Sequence, residues 1–231
     1  MQVEEYLQHL VSSIDKREDL PSQREIADKL GISRSAVQHA LRHLQDEGVV
    51  SVKQRSGIEV NKKIDINMLG MQSMTAELGN QNVKIKHLST SSVQVTKQLQ
   101  NFFGSKTSQL LKIERIHCNR DKPLSYEITY FNKAEFPTLE KVDFTNLSLY
   151  QILCDEYNAV PTYGKEDITC ILADDRLAKA LQVKDGEPLY QIESFNYQAD
   201  DRPLECTRQY LIGKQFKYYF TANNIFDYQE D

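Results

Sequence analysis

Along the first sixty residues the apolar positions fall at helical spacing. Val3, Tyr6, Leu7, Leu10, Val11 and Ile14 recur every three or four residues, which predicts an amphipathic helix over residues 3–15. Pro21 stops it, and Ser22 followed three residues later by Glu25 has the form of a capping box that opens a second helix. Ile26, Ala27 and Leu30 give that helix one buried stripe, and Gly31 supplies the left-handed residue that ends it. Ser33 then caps a third helix, from residue 34 to about 46, with Val37, Ala40, Leu41 and Leu44 facing inward and Gly48 as its exit. Two helices joined by a tight glycine-containing turn make a helix-turn-helix pattern.

After Gly48 the period changes to short β-prone runs, "VVSVK" and "IEV", separated by "QRSG". Three helices and a basic-tipped hairpin predict a winged helix-turn-helix. Its third helix can enter a major groove while the tip lies near the minor groove or backbone. On the outward half of the third helix, Ser33, Arg34, Ser35, Gln38 and His39 are candidates for the DNA face, where Arg suits guanine and Gln suits adenine. Arg24 and Arg42 are placed for phosphates, and Lys53 and Arg55 supply the wing's charge. A polar helix face is by itself more often only solvated. The order of cap, glycine turn, second cap and basic hairpin selects the DNA-binding reading.

Residues 61–71, "NKKIDINMLGM", carry a charge run without firm periodicity and are read as a connection. This divides the chain into a DNA-binding domain over 1–62, a linker over 63–71 and a second domain over 72–231. Alternating segments follow: "VKIKHL", "LLKIERIHC", "LSYEITYF", "EDITCILA", "LYQIESFNY" and "LECTRQYL", with helical stretches near 92–102, 148–157 and 174–182. The second domain is therefore expected to be α+β, built on an antiparallel sheet. The turns "CNRDKPL" and "QADDRPL" echo one another, with Pro123 before Glu127 and Pro203 before Glu205, which suggests an internal duplication.

With 231 residues and 40% hydrophobic content the chain can bury two modest cores. The net charge of −5 argues against indiscriminate coating of nucleic acid, but the charge is unevenly spread. Residues 21–63 carry eight Lys or Arg against five Asp or Glu, whereas residues 64–231 carry 18 against 23. No secretory signal or membrane-spanning apolar run is read, so the expected compartment is the cytoplasm. Cys118, Cys154, Cys170 and Cys206 are too scattered for a disulfide framework or a zinc site and are expected to be reduced. His39 and His43 are four apart on a helix but lack a third ligand, so no metal and no cofactor is expected.

The stretch "LPSQREIADKLGISRSAVQHALRHLQDEGVV" resembles the DNA-binding domain of GntR-family bacterial transcription regulators. The matching positions are Pro21, Ser22, Arg24, Ser33, Arg34, Ala40, Leu41, Glu47 and Gly48. The resemblance implies that Arg24, Arg34 and the wing Gly57 touch DNA. The chain departs from the family in having Gln38 where Arg is common. Its wing, "RSGIE", keeps only Gly57, with Arg55 and Ile58 where a glycine and a threonine are more usual.

Residues 72–221 resemble the effector-binding UTRA domain of the HutC subfamily, which shares the chorismate lyase fold. The resemblance rests on Arg115, Pro123, Glu127 and Tyr130 in one hairpin, on Ser148 to Tyr150, on "PLYQIESF" from Pro188, and on "RPLECTRQYLIG" ending at Gly213. It implies a ligand pocket between sheet and helices faced by Arg115, His117, Glu127, Ser148, Tyr150 and Glu205. A guanidinium there would recognise phosphate or carboxylate, the carboxylates would take sugar hydroxyls or amines, and the hydroxyls could bond either kind. His117 stands where amino-sugar-phosphate sensors often have Arg. The alternative for Arg115 and Glu127 is an ion pair across the strand surface, and Tyr130 and Tyr150 could be core.

The function expected is a ligand-responsive transcription factor that binds palindromic double-stranded operator DNA as a homodimer. It is expected to be a repressor of a metabolic operon, released by a small metabolite such as a sugar phosphate or small carboxylate. Such a protein is cytoplasmic, and associated with the nucleoid when on its operator. Two alternatives are a constitutive DNA-binding protein whose second domain only dimerises and a lyase-like enzyme, for which no acid–base or nucleophile constellation is present.

Overall fold

The computed structural model describes residues 2–13, 20–46, 49–53, 57–60, 63–67, 83–119 and 121–221. Two compact units divide the chain, Met1–Ile64 and Asp65–Asp231.

In the first unit, helices α1 (Gln2–Ser13), α2 (Gln23–Leu30) and α3 (Arg34–Asp46) precede a hairpin of β1 (Val50–Lys53) and β2 (Gly57–Val60). The capping box forms: the Ser22 hydroxyl accepts from the Glu25 amide while the Glu25 carboxylate accepts from the Ser22 amide at 2.7 Å. Gly31 closes α2 at φ 64°, the left-handed region that glycine enters without a Cβ penalty. Ser33 opens α3 by accepting from the Ala36 amide at 3.2 Å. Leu7, Ile26, Val37, Leu41, Leu44, Val50 and Ile58 form one core, and Leu20 is bridged to Ile58 by backbone pairing. Among the described residues the buried positions are the apolar stripes of the helices, the hairpin and Leu20 from the connection before α2, which together make one apolar core. Ile14, Glu47, Gly48 and the wing tip with Arg55 lie outside the described residues.

The second unit is a six-stranded antiparallel sheet in the order β4-β5-β6-β9-β8-β7. Its elements are β4 (Val83–Gln94), α4 (Lys97–Phe103), β5 (Gln109–Asn119), β6 (Lys122–Asn132), α5 (Leu149–Tyr157), β7 (Tyr163–Leu172), α6 (Asp175–Leu181), β8 (Pro188–Tyr197) and β9 (Pro203–Ile212). The strand order is that of a duplication: strand, helix, then hairpin occurs as β4-α4-β5-β6 and again as β7-α6-β8-β9, and the two halves meet where β6 pairs with β9. On one face α6 packs through Leu177, Ala178 and Leu181 against Ile116, Ile128 and Tyr210. On the other, α5 and a 3-10 turn at Pro137–Lys141 cover Leu111, Ile113 and Phe131 with Phe136, Leu139, Leu149 and Leu153. The central strands are thus buried on both sides.

The helix expected from residue 92 starts later. Residues 92–94 continue β4, pairing Ser92 with Leu111 and Gln94 with Gln109, and α4 begins after the N-cap Thr96. The run "STSSVQV" is rich in Ser, Thr and Val, residues whose stiff or backbone-competing side chains suit a strand better than a helix interior. β7 likewise starts at Tyr163, before the expected "EDITCILA". The other two helices follow Ser148 and Asp174, each accepting a hydrogen bond from the helical amide three residues on. Within the segment read as a linker, β3 (Ile64–Asn67) pairs with β10 (Phe216–Tyr219), with Ile64 and Ile66 buried.

Candidate DNA-binding face and effector site

In the first unit, α3 turns Val37, Ala40, Leu41 and Leu44 inward, which leaves Arg34, Ser35, Gln38, His39 and Arg42 exposed. Ser33 and Ser35 join hydroxyls at 2.8 Å at the helix entrance. The Gln38 side-chain amide donates to the side-chain Oε1 of Gln23 at 3.3 Å, linking α3 to the start of α2. Arg24 is exposed and lies 3.8 Å from Asp28, one turn on. An exposed pair of that length contributes little and leaves the guanidinium available. Lys53 and Gly57 face each other at the end of the hairpin ladder, where β1 leaves for the tip. The helix entrance and the α2 start therefore present hydroxyl, guanidinium and carboxamide groups together.

In the second unit the polar residues predicted for the effector lie mainly on the sheet face that α5 partly covers. Arg115 and Glu127 are opposite each other on β5 and β6, and both are buried. The Arg115 Nε donates to Glu127 Oε1 at 2.9 Å, and Nη2 contacts the same oxygen. The cross-strand pair weighed as an alternative thus forms, but in the interior instead of on the surface. Gln209 donates to Glu127 Oε2 at 2.9 Å and Thr129 to Oε1 at 3.2 Å. On β9, Glu205 accepts from the Tyr150 hydroxyl at 2.9 Å and from the Asn196 amide at 2.6 Å. Ser148 lies apart from this network, capping α5 through the Gln151 amide. His117 is fully buried, its Nδ1 3.2 Å from the Ser125 hydroxyl.

The electrostatics follow from these partners. Burial works against charge on Glu127, yet the Arg115 guanidinium beside it holds the carboxyl down to about 2. Burial raises Glu205, whose hydroxyl and amide partners only partly offset it and which has Glu127 as a further charge of like sign. The Thr207 hydroxyl touches both the Thr129 hydroxyl, at 3.0 Å, and Glu205 Oε2. The Thr129 hydroxyl in turn donates to Glu127 Oε1, so the two threonines link the two carboxyl groups in one chain of contacts. Burial likewise pulls His117 down to about 4, so its ring is neutral at pH 7. Two buried donors or acceptors in this group, Arg115 Nη1 and His117 Nε2, have no hydrogen-bond partner among the described residues.

Ser125, Thr129, Asn196, Thr207 and Gln209 complete this face and were not singled out from the sequence. The signal is the two-residue period of polar side chains: Ser125, Glu127, Thr129 on β6 and Glu205, Thr207, Gln209 on β9. A cavity of about 500 Å³ lined by residues such as Lys106, Gln109 and Lys133 contains none of the six predicted effector positions. Its Lys133 is engaged by Ser92 and Glu140, and the buried network is the better candidate.

A three-helix unit with a two-stranded wing, followed by a duplicated antiparallel sheet carrying a buried polar network, is the build of a ligand-responsive DNA-binding regulator. The chain belongs to the UTRA-domain family, whose model matches residues 79–217, and its residues 1–60 match the model of the gntR family of bacterial regulatory proteins. The Bacillus subtilis HTH-type transcriptional regulator YurK is 25% identical over 192 residues, covering 81% of this chain and 79% of that protein. The histidine utilization repressor of Pseudomonas aeruginosa is 26% identical over 179 residues, covering 73% and 68%. The crystal structure of PhnF from Mycobacterium smegmatis shares the fold with a TM-score of 0.68 and 23% identity, covering 96% of this chain and 99% of that one. The family and these relatives are transcriptional regulators, not enzymes. Among the described residues no helix is long and apolar enough to cross a membrane.

Proposed function

We propose that the protein represses a metabolic operon in the cytoplasm, binding a palindromic operator as a homodimer and leaving it when a small metabolite occupies the second unit. The observation that carries this reading is the buried polar array on β5, β6, β8 and β9, which includes unpartnered Arg115 Nη1 and His117 Nε2 within a sheet core. Buried polar atoms without partners are costly, and a ligand that supplies them recovers that cost on binding. A sugar phosphate or small carboxylate has the oxygens for Arg115 and His117, while its hydroxyls or amine suit Glu205 and Tyr150. Ser148, at the start of α5, offers a hydroxyl beside helix amides. The relative named as a histidine utilization repressor supports repression as the sign of control.

At the DNA, Arg34, Ser35, Gln38 and His39 read bases. Ser33, Arg24 and Arg42 set the register on phosphates, and Lys53, Arg55 and Gly57 place the wing. The domains act as a reader over 1–62 and a sensor over 72–231, joined by residues 63–71. Fluorescence anisotropy on the promoter region beside the protein's own gene, at fixed salt and with a panel of phosphorylated sugars and organic acids, tests the reading. A metabolite that lowers operator affinity about 5- to 150-fold supports it. Specific DNA binding that persists when a metabolite is bound refutes the switch.

A further inference from the structure

The contact between Gln38 and Gln23 is not among the features that the helix-turn-helix pattern explains. Gln23 is the first residue of α2, next to the Ser22 cap, and Gln38 lies on the exposed face of α3, one turn beyond Arg34. One hydrogen of the Gln38 amide is given to the side-chain Oε1 of Gln23 at 3.3 Å. We infer that Gln23 is a specificity-determining positioning residue, which holds the Gln38 carboxamide in the orientation that reads adenine and rejects guanine.

The argument is one of donor and acceptor count. Adenine presents the N7 acceptor and the N6 donor in the major groove, so a carboxamide reads it with one N–H and its carbonyl oxygen side by side. The Gln38 amide has two hydrogens, one beside its own carbonyl and one pointing away. With one hydrogen committed to Gln23, a single hydrogen and the oxygen remain, the set that N7 and N6 of adenine require. Guanine presents two acceptors, N7 and O6. To satisfy both, Gln38 would need both hydrogens and would have to give up Gln23. A free glutamine can turn its amide over and must also be ordered when it binds, so an anchored one discriminates more sharply.

This inference rests on the reading of α3 as the helix that enters the groove. The test is selection from a random duplex library by the full-length protein, followed by sequencing, for the wild type and the variants Gln38→Ala, Gln23→Ala, Gln23→Glu and Gln23→Lys. In the wild type, the position whose preference is erased by Gln38→Ala should be A·T, favoured over G·C by about 5- to 150-fold. Gln23→Ala should weaken the preference at that position and no other. Glutamate, which only accepts, should retain adenine. Lysine, which only donates, should engage the Gln38 oxygen and shift the position toward guanine. Base preference is the readout, so the charge these variants add near phosphates does not confuse it. The inference is overturned if Gln23→Ala selects the same sequences as wild type, or if the Gln38-dependent position is G·C. A pool with no preferred sequence would instead refute the DNA-reading role of α3, and with it the basis of the inference.

Discussion

Thr129 and Thr207 face each other across the β6–β9 seam with their hydroxyls 3.0 Å apart, and each also touches one of two buried carboxylates. The tripeptides around them, Glu127-Ile128-Thr129 and Glu205-Cys206-Thr207, sit at matching places in the two halves of the duplicated sheet. What differs is the residue opposite each glutamate on the outer neighbouring strand: Arg115 across from Glu127, Asn196 across from Glu205. A cation on one side and a neutral amide on the other push the two carboxyls of a near-symmetric pair in opposite directions, Glu127 down and Glu205 up.

That inequality predicts unequal tolerance to the same substitution. Glu127→Gln strands the Arg115 charge in the interior and should cost about 3–5 kcal/mol of stability. Glu205→Gln leaves no cation stranded, because the residue opposite is the neutral Asn196, and should stay within about 1 kcal/mol of wild type. Urea unfolding of the two variants under identical conditions measures the difference, and equal losses would mean that Glu205 is charged.

Acid should weaken the fold in two windows. His117 is down to about 4 in the folded chain and near 6.5 unfolded, so between those values the unfolded state binds the proton first. Its contribution is complete above pH 6.5 and erodes as pH falls to about 4, by up to about 3 kcal/mol. Glu127, held down to about 2 against 4.5, then loses its stabilisation as pH falls from about 4.5 to about 2. Thermal melts from pH 7.5 to pH 4.5 should show a decline in wild type that His117→Asn flattens.

Ser22→Ala removes the hydroxyl that accepts from the Glu25 amide. The expected loss is about 1 kcal/mol, confined to the Met1–Ile64 unit. Hydrogen exchange resolved by segment should show faster exchange in α2 and α3 with β5, β6 and β9 unchanged.

Arg42→Ala should weaken binding to all DNA sequences alike if Arg42 meets a phosphate. The slope of log affinity against log salt should then fall by about 0.9. A change in base preference in place of a change in slope would move Arg42 from the backbone to a base edge.

The first unit was legible almost residue by residue, because its organisation is local: Ser22 with Glu25, Gly31, and Ser33 with Ala36 each act within three or four positions. The Gln23–Gln38 contact was not, since it joins residues fifteen apart whose meeting depends on how α2 crosses α3. In the second unit the strands and the duplication could be read from alternation and from the paired turns. Register could not, because it is set between residues far apart along the chain, 82 positions for Gln209 and Glu127, and register is what brings Thr129 to Thr207 and Gln209 to Glu127. The polar rows on β6 and β9 look like a solvated strand face in sequence. Only the cover supplied by α5 and the neighbouring strands makes them interior.

The ladder between β3 and β10 places a timing constraint on biosynthesis. β3 leaves the ribosome early, immediately after the DNA-binding unit, but its partner Phe216–Tyr219 is made roughly 150 residues later. At about 5–20 residues per second that is on the order of ten seconds or more, during which Ile64 and Ile66 lack the strand that shields their backbone. The reader can mature while the nascent chain is still growing. The sensor is sealed only when β10 arrives.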